Sequence, residues 1–215
     1  MDELLRLGVL VSGEGTTLDA LSDAIARGEI RAEIALVASD RPEARALERA
    51  RLRNLPTFSF DPRDRSGTPW PSALSEELHR HRAELVVLAG FLSILPPEWV
   101  AAWEGRAINL HPSLLPKFGG PGMHGLRVYA AVLASGAAET GATVHSVTSD
   151  VDAGPALLQE RIPILAGDSP ERLRERLRPV EVRLLLEVIR RFATGTFPLP
   201  YRAPEPPGPA ATAAA

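Results

Sequence analysis

Hydrophobic positions in the chain gather into seven short runs, at residues 4–11, 34–39, 57–60, 85–89, 107–110, 141–147 and 157–164. Their lengths, and the glycines, prolines and charged turns that close them, predict β-strands. The most strand-like is Leu85-Val86-Val87-Leu88-Ala89, and residues 141–147 alternate with period two, setting Ala142, Val144 and Ser146 against Thr143, His145 and Val147. Between the runs the period changes. Leu18, Leu21 and Ile25 recur at helical spacing, and helices are also predicted over 43–53, 72–82, 96–103 and 128–133. Ser169-Pro170-Glu171 opens a last, long helix, with proline at its first position and an acid in its first turn. Pro179 interrupts the pattern of that helix and predicts a kink or two segments, the second over about residues 180–193. Strands alternating with helices define an α/β fold, with no internal repeat.

Composition narrows this reading. At 215 residues, one domain over 1–197 is expected, followed by a disordered tail over 198–215 where proline and alanine dominate. The net charge of −3, with no block of Lys or Arg, argues against nucleic-acid and membrane-surface partners. The absence of cysteine excludes disulfides and thiolate metal sites. With no apolar run of ~18 residues, and an acidic start in place of a signal peptide's basic region, the expected location is the cytoplasm. His79 and His81 are two apart, belong to no HExxH pattern and read as solvated; no metal site is expected.

Four stretches carry candidate chemistry. In Asn109-Leu110-His111-Pro112-Ser113-Leu114-Leu115-Pro116 the amide and the imidazole share one face of a strand end, where open α/β sheets place ligands, and two prolines restrain the loop that follows. A buried histidine beside a turn asparagine is the plainer alternative. Ser12-Gly13-Glu14-Gly15-Thr16-Thr17 lies between a strand and a helix, where backbone N–H groups receive a phosphate. It is neither GxGxxG nor a P-loop, so a phosphomonoester fits; a tight turn capped by Thr16 or Thr17 fits as well. The apolar loop 90–95 suits either core or a pocket wall for a flat heteroaromatic ring. The turn 148–155 carries Asp150 and Asp152 at a spacing that matches no EF-hand, and the glycine-rich 119–125 suits a close backbone approach or a lid.

Taken together, these stretches resemble the folate-dependent phosphoribosylglycinamide formyltransferases, from about residue 7 to about residue 193. The motifs that carry the resemblance are Ser12 to Leu18, Val87 to Phe91, Asn109 to Pro116 and Gly141 to Pro155. The resemblance implies a three-layer, mostly parallel, twisted sheet of about seven strands with helices on both faces, of Rossmann-like type. It implies transfer of the formyl group of 10-formyltetrahydrofolate, a cosubstrate, to the amine of glycinamide ribonucleotide, by a monomer or homodimer. Asn109, His111 and Asp152 would be catalytic. Asparagine would donate to the developing oxyanion, and the imidazolium, favoured by a carboxylate, would do the same or supply a proton. Residues alone leave Asp150 as a rival to Asp152; the Asp-x-Gly-Pro register favours Asp152. Gly15, Thr16 and Thr17 would hold the phosphate, and Glu181 the amine. Leu92, Ser93, Ile94 and Leu95 would line the folate pocket opposite Thr148, Ser149, Asp150, Val151 and Asp152, with Asn109 shared. The Leu115–Pro116 bond would be cis, and Arg63 and Arg65 both remain open for the folate glutamate tail. Thr17, Ser93, Pro179 and Val182 depart from the family pattern. An acceptor that is another phosphorylated amine or an amino sugar, or a non-catalytic folate or nucleotide binder, remain alternative readings.

Overall fold

The computed structural model describes residues 4–64 and 66–203. All seven predicted strands form one sheet: β1 (Leu5–Val11), β2 (Ala32–Ser39), β3 (Thr57–Ser59), β4 (Leu85–Leu88), β5 (Ala107–His111), β6 (Glu139–Ser146) and β7 (Ala156–Pro163). Their spatial order is β3-β2-β1-β4-β5-β6-β7. The first five are parallel, and β6 and β7 add antiparallel. The helices are α1 (Thr16–Ala26), α2 (Arg45–Leu52), α3 (Trp70–Arg80), α4 (Pro97–Ala102), α5 (Leu126–Ala134) and α6 (Pro170–Ala193).

Two apolar clusters sandwich the sheet. Leu7, Val9 and Val11 of β1 pack with α1, α2, α5 and α6 on one face, and Leu10 packs with α3 and α4 on the other. Period two in a strand and 3.6 in its neighbours thus produce three layers. Gly8 breaks the apolar run of β1 for a packing reason: a Cβ there would run into Leu78 of α3. Ala107 belongs to the second cluster and Ile108 to the first, so Asn109 and His111 emerge on the face that α3 and α4 cover further along. Around β5 and β6 the loop after β5 takes over that cover. Thr143 Oγ1 of β6 donates to Ser113 O (2.7 Å) and accepts from Leu115 N (3.1 Å). Gln159 Nε2 donates to Leu115 O (2.9 Å) and the Leu115–Pro116 bond is cis.

Two expectations are narrowed. Of the two outcomes expected at Pro179, the split into two segments does not occur: the last helix is continuous over Pro170–Ala193, through that proline. Leu173, Leu177, Val180, Leu184 and Leu185 hold one buried face on both sides of it, and Pro179 lies on the exposed face, so the carbonyl it leaves unbonded turns to solvent. The packed chain also continues past 197. Tyr201 meets Phe192 and Phe197 edge-on, and its N–H donates to Gly105 O (2.7 Å). The remainder of the expected tail, 204–215, lies outside the described residues.

Candidate active site

The strand order reverses direction between β1 and β4, and the loops that leave the carboxyl ends of β1, β4 and β5 surround that point, the usual crevice of open α/β sheets. One cavity of about 620 Å³ runs between them. Residues 13–17 close one end, the apolar loop 88–95 forms a wall, and Asn109, His111, His145 and Asp152 form the floor.

The floor is a closed polar network. Asn109 and His145 are direct cross-strand partners on β5 and β6. His145 Nδ1 lies 2.9 Å from Ser146 O, a pure acceptor, so Nδ1 carries the proton and Nε2 a lone pair. Asn109 Nδ2 therefore donates to His145 Nε2 (3.1 Å) and, with its second hydrogen, to Asp152 Oδ1 (3.3 Å). His111 Nε2 donates to Phe118 O (2.8 Å), which leaves Nδ1 facing Asp152 Oδ2 at 3.4 Å. A proton on Nδ1 would lie between the imidazole and the carboxylate. Gly120 N also donates to Asp152 Oδ2 (3.0 Å), and a side chain at Gly119 would crowd the Asp152 Cβ at 3.0 Å. Asp152 itself adopts a left-handed backbone (φ 58°), which aspartate tolerates better than most residues.

Burial works to raise the Asp152 pKa. The charge of His111 and the Gly120 N–H work against it, and the net direction is down. For His111 the balance is reversed. Burial pulls its pKa below the ordinary histidine value, and the Asp152 charge and Phe118 carbonyl only partly oppose it. Asp152 acts in the expected direction, favouring the charged form of His111, but desolvation of a 3% exposed ring outweighs that one adjacent charge.

At the other end, Gly15 caps α1 in a left-handed conformation (φ 78°), with no side-chain cap, so Thr16 and Thr17 lie inside the helix and are not its cap. Their N–H groups belong to the first turn, which has no intrahelical acceptors. Glu181 lines the cavity beyond them, and its Oε1 accepts from Tyr129 Oη (2.9 Å). Along the apolar wall, Leu92 and Ile94 are 41% and 65% exposed into this opening, and Leu95 is buried. The wall is pinned from beneath: Leu92 N donates to Ser12 Oγ (2.8 Å), and Ser93 N and Oγ both donate to Asp40 Oδ2 (3.1 and 2.7 Å). The structure thus brings Asn109, His111, Asp152, Gly15, Thr16, Thr17, Glu181, Leu92, Ser93, Ile94, Leu95, Thr148, Ser149 and Val151 to one cavity. Asp150 is exposed and does not line it. Arg63 is paired with Asp61 (2.9 Å), and Arg65 lies outside the described residues. His145 and Tyr129 escaped the sequence reading. His145 was visible only as one position of an alternating strand with no known partner, and Tyr129 only as part of an apolar helix.

An α/β sheet with an Asn–His–Asp floor, an anion-receiving loop and an apolar wall is the arrangement of a group transferase, and the sequence profile of the formyl transferase family matches residues 5–189. The phosphoribosylglycinamide formyltransferase of Mycobacterium tuberculosis (strain ATCC 25618 / H37Rv) is 43% identical over 190 residues, covering 88% of this chain and 85% of that protein. The glycinamide ribonucleotide transformylase 1 of Symbiobacterium toebii superposes with a TM-score of 0.82 at 41% identity, covering 89% of each chain. Against the trifunctional purine biosynthetic protein adenosine-3 of Gallus gallus the identity is 38% over 192 residues, covering 89% of this chain but 19% of that one. The chain belongs to the phosphoribosylglycinamide formyltransferase family of formyl transferases.

Proposed function

We propose that the chain transfers the formyl group of 10-formyltetrahydrofolate to the amine of glycinamide ribonucleotide, giving formylglycinamide ribonucleotide and tetrahydrofolate in purine synthesis. One observation carries this: a single cavity joins the phosphate-type loop 13–17, the carboxylate of Glu181, the Asn109–His111–Asp152 floor and the apolar wall 92–95. A phosphorylated amine and a flat heteroaromatic donor each find a chemically matched end, and the reacting atoms meet between them.

The amine nitrogen attacks the formyl carbon, forming the new C–N bond and moving the carbonyl π pair onto oxygen. Asn109 Nδ2 donates to that oxygen by exchanging its longer bond, the 3.3 Å one to Asp152. His111 Nε2 is held by the Phe118 carbonyl and Nδ1 faces Asp152, so a proton taken up at Nδ1 meets a carboxylate, which favours proton transfer over oxyanion binding as its role. The proton lost by the amine is held between His111 Nδ1 and Asp152 Oδ2. It passes, through water, to the folate N10 as the formyl C–N10 bond breaks. Gly15, Thr16 and Thr17 hold the phosphate, and Glu181 the amine. Leu92 to Leu95 face Thr148, Ser149 and Val151 across the pterin. No helix among the described residues is long and apolar enough to cross a membrane; we place the enzyme in the cytoplasm, as a monomer or homodimer.

The test is the absorbance change on deformylation of 10-formyl-5,8-dideazafolate with glycinamide ribonucleotide, for wild type and His111→Ala. Turnover that requires the ribonucleotide and falls by about 10²–10³ in the variant supports the reading. Turnover only with another phosphorylated amine or an amino sugar would move the acceptor; the departure at Thr17 lies at that end of the cavity, and those at Pro179 and Val182 are on α6 beside Glu181. Folate binding without turnover of any acceptor would leave a binder.

A further inference from the structure

Glu181 is reached from two directions. Tyr129, on α5, is 4% exposed and donates its hydroxyl to Oε1 at 2.9 Å. Arg174 and Arg178 precede Glu181 by seven and three residues on α6, so all three share one helix stripe. Both guanidinium charges act on Glu181, and neither makes a hydrogen bond or ion pair among the described residues, whereas Arg172, Arg176 and Arg183 of the same helix do. Glu14, in the loop before α1, lines the same cavity and is paired with Arg45 (3.3 Å). Glu181 Oε2 has no protein partner among the described residues.

We propose that Tyr129 is a positioning residue for the acceptor amine: its hydroxyl fixes Glu181 through Oε1 and leaves Oε2 free to take the amine N–H. This rests on the reading of Glu181 as the amine-binding acid. Tyr129 suits the task because a phenol this buried, beside a carboxylate, does not ionise and so only donates; its pKa is pushed far up, first by burial and then by Glu181. Glu181 needs that donor. Burial raises its pKa, while the Tyr129 hydrogen bond and the two arginines work to keep it ionised. Removing the hydroxyl therefore removes both orientation and part of the support for the charge.

Tyr129→Phe tests this, because it keeps the ring that packs in the first apolar cluster and deletes one oxygen. The expected result is a roughly tenfold rise in the KM for glycinamide ribonucleotide with the folate KM unchanged. The acid limb of kcat/KM should also move up by about one pH unit, since Glu181 then ionises later. A purely structural role would change kcat/KM by one factor at every pH, and that result overturns the proposal, as does a rise in the folate KM. A second measurement needs no turnover: carboxyl-13C glutamate titration in which Glu181→Gln assigns the signal. Its midpoint should be higher in Tyr129→Phe than in wild type, and equal midpoints overturn the proposal. A shifted midpoint in a protein that does not turn over the ribonucleotide would support the pair and defeat only the choice of acceptor.

Discussion

The two ends of the cavity are built on different principles. At the floor, Asn109, His111, His145 and Asp152 use nearly all their hydrogen-bonding groups on one another or on backbone carbonyls, and both imidazole rings are almost fully buried. At the acceptor end, the first turn of α1, Glu181 Oε2 and the guanidinium group of Arg174 have no protein partner among the described residues. The floor is organised before any ligand arrives, while the acceptor end presents groups that await one. Pre-organisation is what a developing charge requires, since reorientation at the moment of reaction would cost the stabilisation it is meant to supply. Recognition of a charged ground state has no such requirement. Substitutions at the floor should therefore lower kcat and behave non-additively, and those at the acceptor end should raise KM.

The largest effect is expected from Asp152→Asn. It removes the acceptor that faces His111 Nδ1 and the proton's resting place, so kcat should fall by about 10²–10³ with KM for both substrates nearly unchanged. The sign of the accompanying titration is fixed. Asp152 raises the His111 pKa against burial, so its loss lowers the midpoint further below the ordinary histidine value. Imidazole NMR of wild type and variant checks this. An upward movement would mean that the carboxylate does not act on His111 as the geometry requires.

His145→Ala should have the next largest effect, although His145 touches no substrate in the proposed mechanism. Its Nε2 lone pair is what obliges Asn109 to turn Nδ2 inward, and without it the amide can rotate or flip. A fall in kcat of roughly tenfold to a hundredfold is expected from that loss of orientation. In a double-mutant cycle with Asn109→Ala the two effects should fail to add. Additive losses would place His145 outside the Asn109 network and blur the contrast between the two ends.

How far the sequence displays this contrast depends on whether the contacts are local. The seven apolar runs and the Ser-Pro-Glu start of α6 are short-range patterns, and all are present in the fold. Asn109 and His111 share a face because they are two apart in one strand. The choice of Asp152 over Asp150 needed the Asp-x-Gly-Pro register, because two carboxylates in one turn look alike until the left-handed backbone at Asp152 turns its side chain inward. His145 depends on the antiparallel pairing of β5 with β6, 36 residues apart, and no local pattern announces a pairing of that range. Tyr129 looked like one more core position of α5, and burial alone does not disclose that its hydroxyl meets Glu181, 52 residues away. At Pro179 the local rule allows a kink or a break, and the buried stripe that continues on both sides of it keeps the helix in one piece.

The smallest catalytic effect, and the sharpest test of the acceptor end, belongs to Gly15→Ala. Gly15 holds φ at 78°, and a Cβ there would lie 2.7 Å from Ala46 Cα and Cβ at the start of α2. Ala46 N donates to Gly13 O (3.0 Å), so α2 cannot move away without releasing the loop. The substitution therefore strains the backbone and separates the loop from α2. A cost of about 1–3 kcal/mol is expected for a residue forced into that region. At about 2–4 °C of Tm per kcal/mol for a chain of this size, the loss is readable by calorimetry. Because the first-turn N–H groups move with the loop, KM for the phosphorylated acceptor should rise severalfold while kcat at saturation changes little. The folate KM should not move, since Ser93 N and Oγ pin the apolar wall to Asp40, which lies outside that loop. A fall in kcat with unchanged KM would mean that the loop and the catalytic floor are one unit, and the division between a pre-organised end and a receiving end would not hold.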